Sequence, residues 1–322
     1  MRKIIRFVKD WSLPIVMLAG ILAYFIAAEL PLSANAHNII NKSIDIIQPL
    51  LIFCMLFISF CKIDPAKLRP CKWHLWLMLI QSGLFVGLAL ISKFFHCGES
   101  VIIECAMLCL ICPTATAAVV ITDKLGGNTL SLVAYTIISN IVTAVVVPLV
   151  LPLINPSIGN HFLHSFYIII KQIFPLLVCP FLLAWLVRIF APRLLKIITS
   201  IKDLAFYLWM VALAIALAVT TRAIVHSNIT TSYFIGISIV TLFCCVFQFY
   251  VGKHIGSHYN DRISAGQAMG QKNTVFIIWM AYTFMNPVSA VTGGFYSIWH
   301  NTINSYQLYK KRKQSALCAT KN

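Results

Sequence analysis

Residues 270–274 read Gly-Gln-Lys-Asn-Thr inside a long apolar stretch, "SAGQAMGQKNTVFIIWMAYTF" at 264–284. A helix breaker, an ammonium and three hydrogen-bonding side chains in a row can do three kinds of chemistry. Lys272 can hold a carboxylate, stand where a mobile cation would otherwise sit, or exchange a proton. Gln271, Asn273 and Thr274 can satisfy the backbone groups that a broken helix leaves open. A second interruption lies at "CLICPTATAAVV", residues 109–120. Pro113 has no N–H to donate and clashes with the preceding turn, and Thr114 and Thr116 flank it. Broken backbone at membrane depth is tolerated only where it is buried in protein or lines a water-filled cavity.

The surrounding composition sets that depth. The 322 residues are 60% hydrophobic and 11% charged, with a mean hydropathy of +0.86. A soluble domain is about 25% charged, so lipid is the expected solvent. Ten windows are apolar and long enough to cross: 12–29, 44–61, 73–94, 100–124, 128–150, 165–189, 204–222, 231–251, 262–284 and 287–308. Runs such as "VVVPLVLPL" and "ALAIALAV" do not alternate, which argues against a β-barrel. The first window follows a basic "MRKIIRFVK" and precedes "ANA" at 34–36. That pattern imitates a signal peptide, but a first span explains it better when nine more follow.

The net charge of +16 points to topology and not to nucleic acid. With ten spans and both termini cytoplasmic, the basic residues at 2–9, 62–72, 124, 188–202, 253–262 and 310–321 fall inside. Lys42, Lys93 and Arg222 alone fall outside, as the positive-inside rule requires. Lys171 and Lys272 remain within spans. Of the nine acidic residues only Glu104 lies inside a span, and Glu104 and Lys171 could pair near the outer face. The eleven cysteines sit mostly in apolar runs, where Cys behaves as a small hydrophobe. Their spacing suggests no metal site, and no cofactor is expected.

The expected fold is therefore an all-α polytopic membrane protein, one transporter unit over residues 1–310. A polar cytoplasmic tail follows at 311–322 and is expected to fray from about Tyr309. The segment around "FAPRLLKIITSIKD" reads as an amphipathic helix at the cytoplasmic face. Divided five plus five (about 12–150 and 165–308), each half carries its break in its fourth span, and an odd number of spans inverts the second half. Polar breaks at corresponding positions of two halves point to a transporter's binding site. No residue-level repeat relates the halves.

"CPTATAAVVITDKLGGN", "SLVAYTIISNIV", "MGQKNT" and "YSIWHN" at 296–301 together resemble the bile acid:sodium symporter family, as a divergent bacterial-type member. The resemblance implies ten helices in two inverted five-helix repeats, with spans four and nine broken and crossing in a core domain beside a panel domain. It implies alternating access in the plasma (bacterial inner) membrane. Asn273, His300 and Asn301 match positions that face substrate in the family. Each could equally cap a helix or bond between helices.

The family's sodium ligands are largely replaced. A Ser-Asn pair after the first break becomes Ala118 and Val119. A Ser and a Thr one turn apart in the fifth span become Leu132 and Thr136. A ninth-span Glu becomes Ala268. The second site shares that lost Glu, a Gln that is here Lys272, and a third-span Gln retained as Gln81. Exchanging a carboxylate and an amide for a methyl and an ammonium makes sodium unwelcome. Like charges about 4 Å apart repel by roughly 4 kcal/mol at an effective dielectric of 20. The resulting expectation is a secondary transporter of a small organic anion in which Lys272 replaces sodium, so that transport is sodium-independent or proton-linked. Lys272 could instead bind a substrate carboxylate, snorkel, or cap a helix end.

A conventional sodium symporter with relocated ligands is the alternative. Its oxygens would come from Gln81, Thr116, Thr136, Gln267 and Gln271. Pro113, Thr114, Thr116, Gln271 and Thr274 are expected chiefly to satisfy the crossover backbone. A membrane enzyme or sensor fits less well, because no nucleophile–base pair or output domain is visible. Lipid and the solute are the expected partners.

Overall fold

The computed structural model describes residues 12–30, 33–94, 101–154, 161–201, 204–226 and 231–319. Among them the chain is all helical. Its elements are α1 (Ser12–Glu29), α2 (Ala34–Cys61), α3 (Lys72–Phe94), α4 (Val101–Ile111), α5 (Ala118–Leu125), α6 (Thr129–Ile154) and α7 (Phe162–Leu177). They continue with α8 (Cys179–Phe190), α9 (Pro192–Ser200), α10 (Leu204–Val225), α11 (Thr231–Ser257), α12 (Arg262–Gly270), α13 (Thr274–Phe284) and α14 (Val291–Ala319). Lys42–Cys61, α3, α6, Phe162–Phe190 and α11 are each long and apolar enough to cross a membrane.

Where the apolar windows are interrupted, the helices are too. The window at 100–124 becomes α4 and α5, and the window at 262–284 becomes α12 and α13. Val101–Ile111 and Thr274–Phe284 have 11 residues each. At 1.5 Å per residue, such a helix covers only about half of a ~30 Å hydrocarbon core. The window at 165–189 bends at Val178, between α7 and α8. Pro175 and Pro180 lie on either side of the bend, and Pro180 has no N–H to continue the ladder.

Two ends run longer than the hydropathy windows suggest. α2 starts at Ala34, ten residues before its window, with the Ser33 hydroxyl accepting the Ala36 N–H as its N-cap. α14 stays helical to Ala319, where fraying was expected from about Tyr309. Extending an established helix costs little, and the Lys and Gln residues there are good helix formers. The segment read as amphipathic is α9, opened by Pro192. Leu195 and Ile198 pack against the main apolar cluster, while Leu194 and Ile197 are exposed.

That cluster joins α2, α3, α4, α6, α7, α10 and α13 through residues such as Ile52, Phe85, Ile111, Val147, Ile173, Leu213 and Phe276. Large apolar side chains, among them Leu22, Ile46, Leu163, Ile239 and Phe243, also point outward. An outward apolar surface suits lipid. α11 and α12 approach closely at Gly252, where a Cβ would lie 2.4 Å from the Ala265 carbonyl oxygen. Glycine at such contacts lets helix backbones pack within a membrane. α5 ends at Gly126, whose φ of 81° is left-handed and favours glycine.

Candidate crossover site

The two interrupted helices meet. Thr114 and Lys272 form an isolated antiparallel β-bridge. Ala115 N–H donates to the Gln271 carbonyl at 2.9 Å, and Asn273 N–H donates to the Pro113 carbonyl at 3.0 Å. The extended residues between α4 and α5 thus pair with those between α12 and α13. Each break uses backbone groups that the other leaves open, which is how unwound chain stays buried without water.

The C-terminal end of α4 makes the point in detail, since a helix leaves its last four carbonyls without internal partners. Leu108 O accepts Cys112 N–H at 3.2 Å. Cys109 O accepts Gln248 Nε2 at 3.2 Å, and Leu110 O accepts Lys272 Nζ at 3.3 Å. Ile111 O accepts Gln81 Nε2 at 3.1 Å and Thr143 Oγ1 at 2.9 Å. α12 ends in the same way. Gln267 O takes Gln271 N–H at 3.0 Å, Ala268 O takes Thr114 Oγ1 at 2.6 Å, and Gly270 O takes Tyr296 Oη at 2.9 Å.

Lys272 sits in the middle of this junction with 1% of its surface exposed. Besides Leu110 O, its Nζ donates to Gln81 Oε1 at 2.8 Å. The same oxygen accepts the Tyr135 hydroxyl at 3.2 Å. The ammonium therefore lies against the carbonyl end of α4 and just beyond the carbonyl end of α12, where helix dipoles favour a cation. It is not a snorkelling lysine. Tyr135 was not singled out in the sequence, although it adjoins Thr136. An aromatic hydroxyl beside a polar residue in an apolar helix is the signal that could have marked it.

The other residues expected at the site divide. Asn273 is the N-cap of α13, its Oδ1 accepting Phe276 N–H at 3.2 Å. Thr114 bonds across the junction, as above, and its own N–H meets Ser139 Oγ at 3.4 Å. Thr136 turns its hydroxyl back onto Leu132 O at 3.0 Å, within α6. Asn301 bonds Ser297 O at 2.7 Å within α14. Thr274 is buried and Thr116 is partly buried. Gln267 Nε2 donates to Asn304 Oδ1 at 2.9 Å. Gln267 Oε1, Gln271 Oε1 and His300 Nδ1 are buried without a protein partner. His300 turns the edge or face of its ring to Tyr296, with centroids 5.7 Å apart. Such atoms call for water or a ligand.

The four positions at which the expected first sodium site loses its ligands come together. Ala118, Leu132 and Ala268 lie in one apolar cluster with Trp73, Leu77, Met78, Tyr135 and Met269, and Val119 packs against it. The side chains at these four positions are packed hydrocarbon.

One possible pairing near the site does not form. Glu104 does not pair with Lys171. Its carboxylate accepts Asn286 N–H at 3.1 Å and the Ser289 hydroxyl, tying α4 to the turn before α14. Lys171 is exposed, with Nζ 5.9 Å from the centre of the Tyr167 ring. A carboxylate inside an apolar helix needs donors, and the nearest strong ones come from a turn far along the chain. A second histidine is buried besides His300. His74, at the start of α3, is 2% exposed, and its Nδ1 accepts Cys71 N–H at 3.1 Å.

The model of the Sodium Bile acid symporter family matches residues 49–227. The chain belongs to this family. The match covers Gln81, the first interruption and Thr136, and ends before Lys272. No curated protein matches the sequence. The sodium bile acid symporter family consists of transporters, so the chain is an integral multi-pass membrane protein and a secondary transporter of a small organic solute, not an enzyme.

Proposed function

We propose that this chain carries a small organic anion by alternating access and that the ammonium of Lys272 does the work of the sodium ion used elsewhere in the family. The observation that carries the reading is the contact of Lys272 Nζ with Gln81 Oε1 at 2.8 Å. These are the two non-acidic positions that the resemblance assigns to the second sodium site, and here one is the cation and the other its ligand. The Leu110 carbonyl at 3.3 Å adds a backbone oxygen of the sort an ion would seek. Packed hydrocarbon at Ala118, Val119, Leu132 and Ala268 supports a degenerate first site. Transport is then sodium-independent, or linked to a proton on Lys272.

The architecture proposed is ten spans in two inverted repeats, about 12–150 and 165–308. The order of helices supports it. Counting α4 with α5, α7 with α8 and α12 with α13 as one crossing each, and leaving α9 at the surface, gives ten crossings with the breaks in the fourth and ninth. An even number of crossings puts both termini on one side, and the basic loops make that side the cytoplasm, with the bacterial inner membrane as the expected location.

The anionic cargo is supported by the half-helices α5 and α13. Their N-terminal ends lie at the junction and favour negative charge. His300, with a buried unpartnered Nδ1, Asn301 next to it in the chain, and Asn273 remain the proposed substrate contacts, His300 foremost. The buried, unpartnered Gln267 and Gln271 oxygens favour the alternative of a relocated sodium site.

Substrate counterflow tests the carrier reading. Purified chain in liposomes loaded with unlabelled organic anion should accumulate the labelled anion transiently above equilibrium. Equilibration without overshoot, for every anion tried, indicates a channel or an inert protein and overturns it.

A further inference from the structure

A second positively charged feature lies away from the junction. Lys253, near the end of α11, is half-buried. Its aliphatic stem lies across Gly266 of α12, where a Cβ would come 2.6 Å from Lys253 Cγ. Its ammonium sits 5.9 Å from the centre of the Phe249 ring. Arg262, the first residue of α12, lies one turn before Gly266, and the Tyr296–Gly270 and Gln267–Asn304 bonds run α12 antiparallel to α14, which brings Lys310 toward the same end. Three cations from three helices thus gather at one end of the packed helices. Asp261 is the carboxylate nearest in sequence, and it is taken by Trp73 Nε1 at 3.2 Å and by the Ser131 hydroxyl. Among the described residues no carboxylate lies in ion-pair contact with the three. Like charges gathered without a counter-ion repel, and an anion relieves that repulsion.

The depth of the cluster suggests which anion. Tyr250 on α11 and Tyr306 and Tyr309 on α14 flank it, and each exposes more than 60% of its surface. Exposed tyrosines at helix ends mark the headgroup level of a bilayer. Basic pockets between helices at that level hold lipid headgroups.

We infer that Lys253, Arg262 and Lys310 form a binding site for the phosphate of an anionic lipid, clamping α11, α12 and α14 at the end opposite the junction. The ligand class is a phosphate ester, which a lipid headgroup or a free phosphate could supply, and the tyrosine belt assigns it to lipid. The site does not rest on the transport reading.

The test uses the full chain in nanodiscs of phosphatidylcholine, with and without about one fifth phosphatidylglycerol. The anionic lipid should raise the Tm of the wild type. The variant Lys253→Gln/Arg262→Gln/Lys310→Gln should lose at least half of that rise, and Lys62→Gln/Lys67→Gln/Arg69→Gln, which removes as many charges elsewhere, should keep it. Equal loss in both triple variants overturns the site, because it reduces the effect to overall charge. Millimolar inorganic phosphate that reproduces the rise in pure phosphatidylcholine discs overturns the lipid assignment. Should the first triple variant fail to fold, Lys310→Gln, at an exposed position, decides: a partial loss supports the site and an unchanged rise overturns it.

Discussion

Lys272→Met should abolish counterflow, lowering the rate at least about a hundredfold, a barrier change of roughly 2.7 kcal/mol. Methionine keeps the length and apolar stem of lysine and removes only the charged head. Gln81 Oε1 would still accept Tyr135, but Leu110 O would lose the ammonium it meets at 3.3 Å. The carbonyl end of α4 would then meet the junction without an ammonium. A hydrogen bond to a charged group contributes about 1.5–3 kcal/mol, so some stability is lost as well. The larger effect should fall on transport, because the charge is what a sodium ion would bring. Lys272→Gln, which restores the amide usual in the family, should not rescue the rate, since position 268 still offers no carboxylate. Counterflow at the wild-type rate in either variant would show that the ammonium is structural.

The largest loss of stability should come from Gln81→Leu. Gln81 serves three partners: it accepts from Lys272 and Tyr135 and donates to Ile111 O at 3.1 Å. Leucine fills a similar volume and removes all three bonds, leaving a buried ammonium with one long contact to a carbonyl. Leaving a buried group without its hydrogen-bond partner costs about 1–3 kcal/mol, and more when the group is charged, enough to lower the Tm clearly or to prevent folding. Gln81→Glu should do the reverse to the fold, supplying a full counter-charge and keeping or raising the Tm. It should also slow transport, because it cancels the charge that the mechanism needs. Thermal unfolding of the three proteins in one detergent checks this. A leucine variant as stable as the wild type would mean that Lys272 does not depend on Gln81.

What the sequence made legible was what departs from its own local background. Pro113, Gly270 and the polar run at 271–274 stand out because they interrupt apolar stretches, and the helices break there. Lys272 stands out because an ammonium is costly in hydrocarbon. The residues that answer it are harder to see. Gln81 was named only through the family resemblance, since a lone amide in an apolar helix looks like any polar bond between helices. Tyr135 escaped notice because a tyrosine in such a helix reads as hydrophobic until its hydroxyl is given a direction. Gln248, which bonds both Cys109 O and Tyr296 Oη, was missed because, like Gln81, it is a lone amide in an apolar helix. Asn273 was legible as a cap as well as a substrate contact, standing immediately before an apolar run as N-cap residues do, and it caps α13. Glu104 was beyond local reasoning, because its partners Asn286 and Ser289 lie 182 and 185 residues away.

The most direct measurement is the rate of substrate uptake into proteoliposomes as external sodium is replaced by potassium or an organic cation at constant ionic strength. A tethered ammonium predicts the same rate at every sodium concentration. A rate that climbs steeply with sodium would show that a free ion still binds, and that Lys272 does not take its place.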